Sequence, residues 1–224
     1  MNNYLSAEIT VFQQKMGGYL TLFNYRMMNL CVKAEPAALM PATITLDGTY
    51  NLEETATIER PDDYHFKITP KNQNNLQAVI EGIFEVHPEF KMEEKTEKNI
   101  VNEDERYVFY TMPDVDKDRR DLLNETSKAF HKECLARLDT EFAKQSGTFV
   151  ELLTNVPVEE ANEAHEAIKE IYDNSKDEAD QLLKAKLSEI EDGYQRYLEQ
   201  EAERANQAAN EFDYSKGMRL NYEE

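Results

Sequence analysis

A chain of 224 residues with 45 acidic and 25 basic side chains carries a formal net charge of −20 and a pI near 4.6. That balance speaks against unaided grip on a phosphate backbone, which needs clustered Lys and Arg, and favours solubility and basic partners. Seven Gly and seven Pro argue against an all-β fold rich in tight turns, and two cysteines make no disulfide framework but fit a reducing cytosol.

The N-terminal run "MNNYLSAEITVFQQ" lacks a basic n-region and a small-residue cleavage site, so no export signal and a cytoplasmic location are expected. Within 5–30, Leu5, Ile9, Phe12, Met16, Tyr19, Phe23, Met27 and Leu30 alternate in steps of three and four. A seam of roughly four heptads predicts a long helix packed against others. Gly17-Gly18 sits inside it, at a cost of about 1 kcal/mol per glycine relative to Ala. The helix is expected to end near Lys33, because Pro36 biases Glu35 away from helical geometry. Leu20, Leu22, Tyr25, Met28 and Val32 lie off the seam and need cover of their own. Leu20, Tyr25 and Met28 are therefore candidate partner-contacting residues. The window 16–32 is the most apolar of the chain, but Asn24, Arg26 and Asn29 interrupt it, and no membrane span is expected.

Residues 36–113 change period. "ATITLDG" (42–48), "TATIER" (55–60), "YHFKIT" (64–69) and "RYVFYTM" (106–112) are short, β-branched or aromatic, and predict strands. "RPDDY" supplies a turn with Pro61 at its second position. Leu76, Val79, Ile80 and Ile83 predict a helix over 74–86, and the charged run 88–105 predicts an excursion with one edge strand. The segment reads as a small α+β unit.

Helical spacing returns after Asp114 with Leu123, Thr126, Phe130, Cys134, Leu138, Phe142 and Phe149, and Asn155 and Pro157 mark a turn. The last helix presents Ala164, Ile168, Ile171, Ser175, Ala179, Leu182, Leu183, Ile190, Tyr194 and Tyr197 inward. A short connection makes these two long helices antiparallel, and the first helix completes a three-helix bundle. More than half of the net negative charge lies in 158–224. That is the mark of a solvated helix face, or of a surface for a basic protein.

Helix, small α+β insert and two long helices resemble the layout of bacterial ribosome recycling factor, and the likeness extends to sequence. "AEPAALMPATITLDGTYNLEETATIERPDDYHFKIT" (34–69) is similar to that family's run from A-x-P-x-L-L through a Y-Y-G turn to a T-P-L segment, with Gly48 at the turn and Leu52 in the segment. "MPDVDKDRRDLL" resembles its P-P-L-T-E-E-R-R-K-x-L, and the run from "VPVEEANEAHEA" resembles its closing helix. The similarity covers about residues 5–193 and leaves 194–224 as an extension. It implies an α+β, L-shaped molecule. A discontinuous bundle would be formed by 1–35 and 114–224, with a small α+β domain inserted at 36–113. It further implies a non-enzymatic protein that works mechanically between ribosomal subunits with a translation GTPase.

Two departures bear on function. The family's rRNA-binding arginines are implied at the bundle tip, in an R-T-G-R-A loop and an I-R-N-I-R-R-D helix segment. Here the loop reads "LCVKAEP", with Leu30 at the first arginine and Lys33 at the second. The helix segment reads "ARLDTEFAK", which leaves Arg137, with Asp139 and Glu141 where cations belong. Lost phosphate contacts cost orders of magnitude in affinity at physiological salt, so direct nucleic-acid binding is expected to be weak or absent. One reading is a diverged paralogue acting by protein binding. The other is a genuine translation factor that binds the ribosome and assists subunit recycling.

Arg119-Arg120 opens a helix, where the macrodipole disfavours cations by about 0.3–1 kcal/mol each. The plain reading is a surface pair offset by Asp114, Asp116 and Asp118. The resemblance, whose own Arg-Arg stands at the return into the bundle, implies packing near a hinge. Lys33, Arg119, Arg120 and Arg137 join the candidate partner-binding residues. No catalytic, cofactor or metal residue is singled out. His131 and Cys134 lie one turn apart and Cys31 ends the first helix, but closed zinc sites use four ligands and Cys134 falls on the apolar stripe. His65, His87, His131 and His165 are scattered, and no phosphate loop or nucleophile elbow occurs. In the extension, three-to-four spacing predicts helix at least to Asn210, with Gly193 as a kink or break. The extension is expected to cover part of the first helix, around Leu20, Leu22, Tyr25 and Met28, within the chain or across a homodimer.

Overall fold

The seam of the first segment forms one helix, α1 (Asn3–Met28), in the computed structural model of the chain. The structure describes residues 3–99, 102–153 and 156–220, apart from the side chains of 3, 150–152 and 210–220. Two further long helices, α4 (Lys117–Leu152) and α5 (Val158–Leu220), pack against α1 along its length. Asp116 caps α4 by accepting the Arg119 amide at 2.8 Å. Pro157 immediately precedes α5, and its carbonyl takes the Ala161 amide at 3.0 Å. Asn155 lies outside the described residues.

The bundle core joins Leu5, Ile9, Phe12, Met16, Leu20, Phe23 and Met27 of α1 to Cys134, Leu138 and Phe149 of α4 and Ala164, Ile168 and Ala179 of α5. The inward stripe steps from Met16 by four to Leu20, then by three to Phe23, so Leu20 takes the place expected for Tyr19. A straight helix at 3.6 residues per turn drifts against a strict heptad, and the off-seam residue rotates inward. Polar groups share this interior. Glu141, expected on a surface, is 6% exposed and pairs with Lys15 at 2.6 Å. Lys186 is buried beside Glu189.

α1 stops at Met28, short of Lys33. Asn29 sends its side-chain amide back to the Tyr25 carbonyl, and the Leu30 and Cys31 amides tighten onto Met27 and Met28 at 3.2 Å. Cys31 then turns left-handed at φ 52°, a conformation that costs a non-glycine residue about 1–2 kcal/mol.

Between α1 and α4 the chain builds a two-stranded ribbon and a four-stranded antiparallel sheet. The ribbon pairs β1 (Thr43–Thr45) with β2 (Thr49–Asn51), and a one-turn helix α2 (Leu52–Thr55) follows with a reciprocal Asn51–Glu54 capping box. The sheet runs β3-β4-β6-β5, from β3 (Ala56–Asp62), β4 (His65–Pro70), β5 (Lys91–Lys98) and β6 (Asp104–Thr111). β5 is the edge strand expected in the charged run. Its polar residues are held by cross-strand pairs such as Lys98–Asp104 at 2.6 Å and Glu94–Arg106 at 2.9 Å. Pro61 lies within edge strand β3, where the register shifts between Glu59 and Asp62, not at the second position of the turn. An edge tolerates the missing amide.

Helix α3 (Leu76–Val86) covers one face of the sheet with Leu76, Val79, Ile80 and Ile83, over Phe66 and Ile68 of β4 and Val108 and Tyr110 of β6. Gly82 lets α3 touch the ribbon. A Cβ there would stand 2.4 Å from the Thr43 carbonyl oxygen and 2.6 Å from Ile44 Cδ1.

At the junction the chain passes from one core to another between adjacent residues. Cys31 enters the core of the inserted unit, while Val32 joins Val115, Leu123 and Ile190. On the way back Met112 belongs to the first and Val115 to the second. Gly193 does not break α5. A Cβ there would meet Val115 Cγ2 at 3.0 Å and Val32 Cγ1 at 3.3 Å, so the missing side chain admits the junction.

Candidate functional site

The end of α1 meets the start of α4 at this junction, and their termini explain the arginine pair. Arg119 reaches across to the carbonyls of Cys31 at 3.2 Å and Leu30 at 3.4 Å. A cation that the N-terminus of α4 disfavours is thus delivered to two carbonyls of the turn that follows α1, just beyond its end at Met28. Burial pulls the guanidinium below its ordinary value, against the pull of Cys31, Glu89, Asp116 and Asp114. Arg120 points elsewhere, pairing with Asp121 at 3.1 Å and Glu191 at 3.7 Å over the Tyr194 ring. Packing at the junction therefore describes Arg119, and a satisfied surface pair describes Arg120.

On the other side of Cys31 lies the loop that follows α3. The Cys31 thiol stands 3.8 Å from His87 Nδ1, and Glu89 Oε1 stands 2.9 Å from the same nitrogen. His87 Nε2 is 2.8 Å from the Ala38 carbonyl, so this nitrogen carries the donated proton. Phe90 stacks on the imidazole at 4.4 Å and 2°. Cys31 and His87 are buried, while Glu89 is 43% exposed along its side chain. Burial, with Glu89 nearby, pushes the Cys31 thiol up to about 12. Spacing in sequence hid this group, because 56 residues separate Cys31 from His87.

The remaining candidate cations are paired. Lys33 sits on the junction rather than at a bundle tip and holds Asp63 at 3.0 Å, which keeps the Asp63 carboxyl below its ordinary range. Arg137 pairs with Glu133 at 2.7 Å, one turn earlier on α4. Arg26 holds the other oxygen of Glu133 at 2.6 Å and lies over the Phe130 ring. Asp139 is exposed, accepts the Tyr172 hydroxyl at 2.6 Å and lies 3.8 Å from Lys176. Glu141 contributes nothing to that surface, because it is buried against Lys15.

The apolar candidates divide. Leu20 is 6% exposed beside Ile171 and Ser175 of α5, so it is core and not a contact surface. Tyr25 and Met28 are half-buried, and Leu22 is 41% exposed. The extension is helical as expected, but its described side chains, 194–209, do not cover α1. Its first turns face the junction, with Arg196 over the Tyr64 ring at 3.4 Å, and residues 201–209 are exposed. Among the described residues no helix is long and apolar enough to cross a membrane.

The comparisons with known proteins agree with this architecture. A model of the ribosome recycling factor family matches residues 25–190. A solution structure of a ribosome recycling factor superposes with a TM-score of 0.65 at 18% identity, covering 86% of this chain and 100% of its own. A chain from models of the T. thermophilus ribosome recycling factor and the E. coli elongation factor G bound to the E. coli post-termination complex gives a TM-score of 0.57 at 21% identity, covering 85% of this chain and 99% of its own. At these identities the structural likeness shows the fold. No curated protein matches.

Proposed function

Since the chain belongs to the ribosome recycling factor family, we propose that it is a non-enzymatic, ribosome-directed translation factor with a weakened hold on rRNA, acting through protein contacts. The observation that carries this reading is the pairing of its cations. Lys33 is held by Asp63 and Arg137 by Glu133, and Asp139 stands where the family is expected to present an arginine. Each cation must leave a carboxylate before it neutralises a phosphate, and each phosphate contact forgone weakens both affinity and its salt dependence.

The bundle (1–35 and 114–224) and the inserted unit (36–113) act as the two limbs of the molecule, joined at Cys31, Val32 and Val115. The T. thermophilus relative was placed with elongation factor G on a post-termination complex. The corresponding partners here are the ribosome and a translation GTPase, in the cytoplasm where both work. The acidic face of α5 supplies a surface for basic ribosomal or other proteins. A second reading, a genuine recycling factor with full rRNA contact, is favoured by one observation: the chain spans nearly the whole of the recycling factor structures it matches.

Pelleting with purified large subunits, beside a genuine recycling factor, separates the two. Weak binding that changes little between about 50 and 200 mM salt supports protein contacts. Binding as tight and as salt-sensitive as the recycling factor's supports the second reading.

A further inference from the structure

Cys31, His87 and Glu89 offer a thiol, an imidazole nitrogen and a carboxylate oxygen whose ligand atoms all lie within 4.8 Å of one another. The Ala38 carbonyl can only accept, so it takes the Nε2 proton and leaves Nδ1 as the ring nitrogen that faces the other two groups. Such a bond fixes the tautomer and orientation of the ring, as it does for histidines that bind metals. Nδ1 then points at the Glu89 carboxylate, another acceptor, at 2.9 Å. Two lone pairs so placed need a hydrogen atom or a metal ion between them.

The Sγ–Nδ1 and Nδ1–Oε1 spacings lie near those of a metal site. Tetrahedral zinc with bonds of about 2.3 Å to sulfur and about 2.05 Å to nitrogen sets those ligands roughly 3.6 Å apart. The thiol and Nδ1 stand at 3.8 Å. The nitrogen and oxygen need to part from 2.9 Å to roughly 3.3 Å, which the half-exposed Glu89 allows. A thiolate with an imidazole selects zinc or a similar transition ion over magnesium or calcium.

We propose that Cys31 Sγ, His87 Nδ1 and Glu89 Oε1 bind one zinc ion, forming a clasp that fastens the end of α1 to the loop after α3. Binding forms one Zn–S, one Zn–N and one Zn–O bond. The Cys31 thiol proton and any proton on Nδ1 leave to solvent, and a water entering beside Glu89 takes the fourth position without redox change. The clasp ties the inserted unit to the residue whose carbonyl Arg119 already holds. It therefore acts on the hinge between the two limbs and does not depend on any ribosomal partner.

The test uses the full chain, reduced and stripped with chelator, titrated with cobalt(II) and then zinc(II). Wild type is expected to bind one equivalent of cobalt, with a thiolate-to-metal charge-transfer band and tetrahedral visible bands that zinc displaces. Cys134→Ser keeps the band and Cys31→Ser loses it. Glu89→Gln, a change at an exposed side chain, keeps the fold and weakens zinc affinity at least about tenfold. No charge-transfer band from wild type overturns the proposal, as does a band that folded Cys31→Ser retains. Should Cys31→Ser not fold, unchanged zinc affinity in Glu89→Gln overturns it alone.

Discussion

Replacing Arg119 with Ala removes a guanidinium that donates to Cys31 at 3.2 Å and to Leu30 at 3.4 Å from a largely buried position. A hydrogen bond from a charged group contributes about 1.5–3 kcal/mol. The longer of the two contacts adds little, and relief from burying the charge offsets part of the loss. The expected destabilisation is about 2–3 kcal/mol. Arg120→Ala is the control, because its pairs at 3.1 and 3.7 Å and its contact with Tyr194 lie near the surface. Its expected cost is about 0.5–1 kcal/mol. Urea unfolding of the full chain measures both, with an unchanged m-value as the sign that only stability moved. Arg119→Lys should recover less than half of the loss, since an ammonium does not span two carbonyls as the fork does. Equal costs for the two arginines, or less than about 0.5 kcal/mol for Arg119→Ala, would refute the capping role.

Lys15→Met strands the buried Glu141 carboxylate and is expected to cost about 3 kcal/mol, while the double change Lys15→Met/Glu141→Leu should restore or exceed wild-type stability; an equally unstable double variant would contradict this. Gly82→Ala drives a methyl group against the Thr43 carbonyl and should cost about 1–3 kcal/mol, whereas Gly18→Ala meets open space and should stabilise α1 by about 1 kcal/mol. Thermal melts that show the same sign for both glycines count against the packing described. Hydrogen bonds from Lys33 to Asp63, and from Arg26 and Arg137 to Glu133, lower these carboxyl groups below their ordinary range. Their contribution is present above about pH 4 and is lost as pH falls through that region. Asp63→Asn and Glu133→Gln should therefore flatten the acid limb of a stability–pH curve, and an unaltered limb would show that the pairs contribute nothing.

The long elements were legible because their apolar residues recur over many turns, and the strand segments because β-branched and aromatic residues cluster between turn signals. What the sequence hid depends on contacts distant along the chain. The three-and-four pattern puts Tyr19 on the seam and Leu20 off it, and the drift of a straight helix past a strict heptad turns Leu20 inward instead. Glu141 reads as a surface acid until Lys15 of another helix stands 2.6 Å away. The stop of α1 at Met28 carries no proline or glycine beside it. It is set by Asn29, a left-handed Cys31 and an arginine from the start of α4. β5 is polar on nearly every position, and its strand character comes from its neighbour β6. Of the candidate cations, only Arg120 and Arg137 have a carboxylate partner near them in sequence, Asp121 next to the first and Glu133 one helical turn before the second.

The slope of ribosome affinity against salt tests the weakened rRNA hold most directly, because it counts phosphates neutralised independently of any protein contact. Each phosphate contact contributes roughly 0.7–0.9 to the slope of log K against log salt. For this chain on purified large subunits, measured beside a genuine recycling factor, the account predicts a slope shallower by about two or more. A slope equal to the recycling factor's, with comparable affinity at physiological salt, would contradict it.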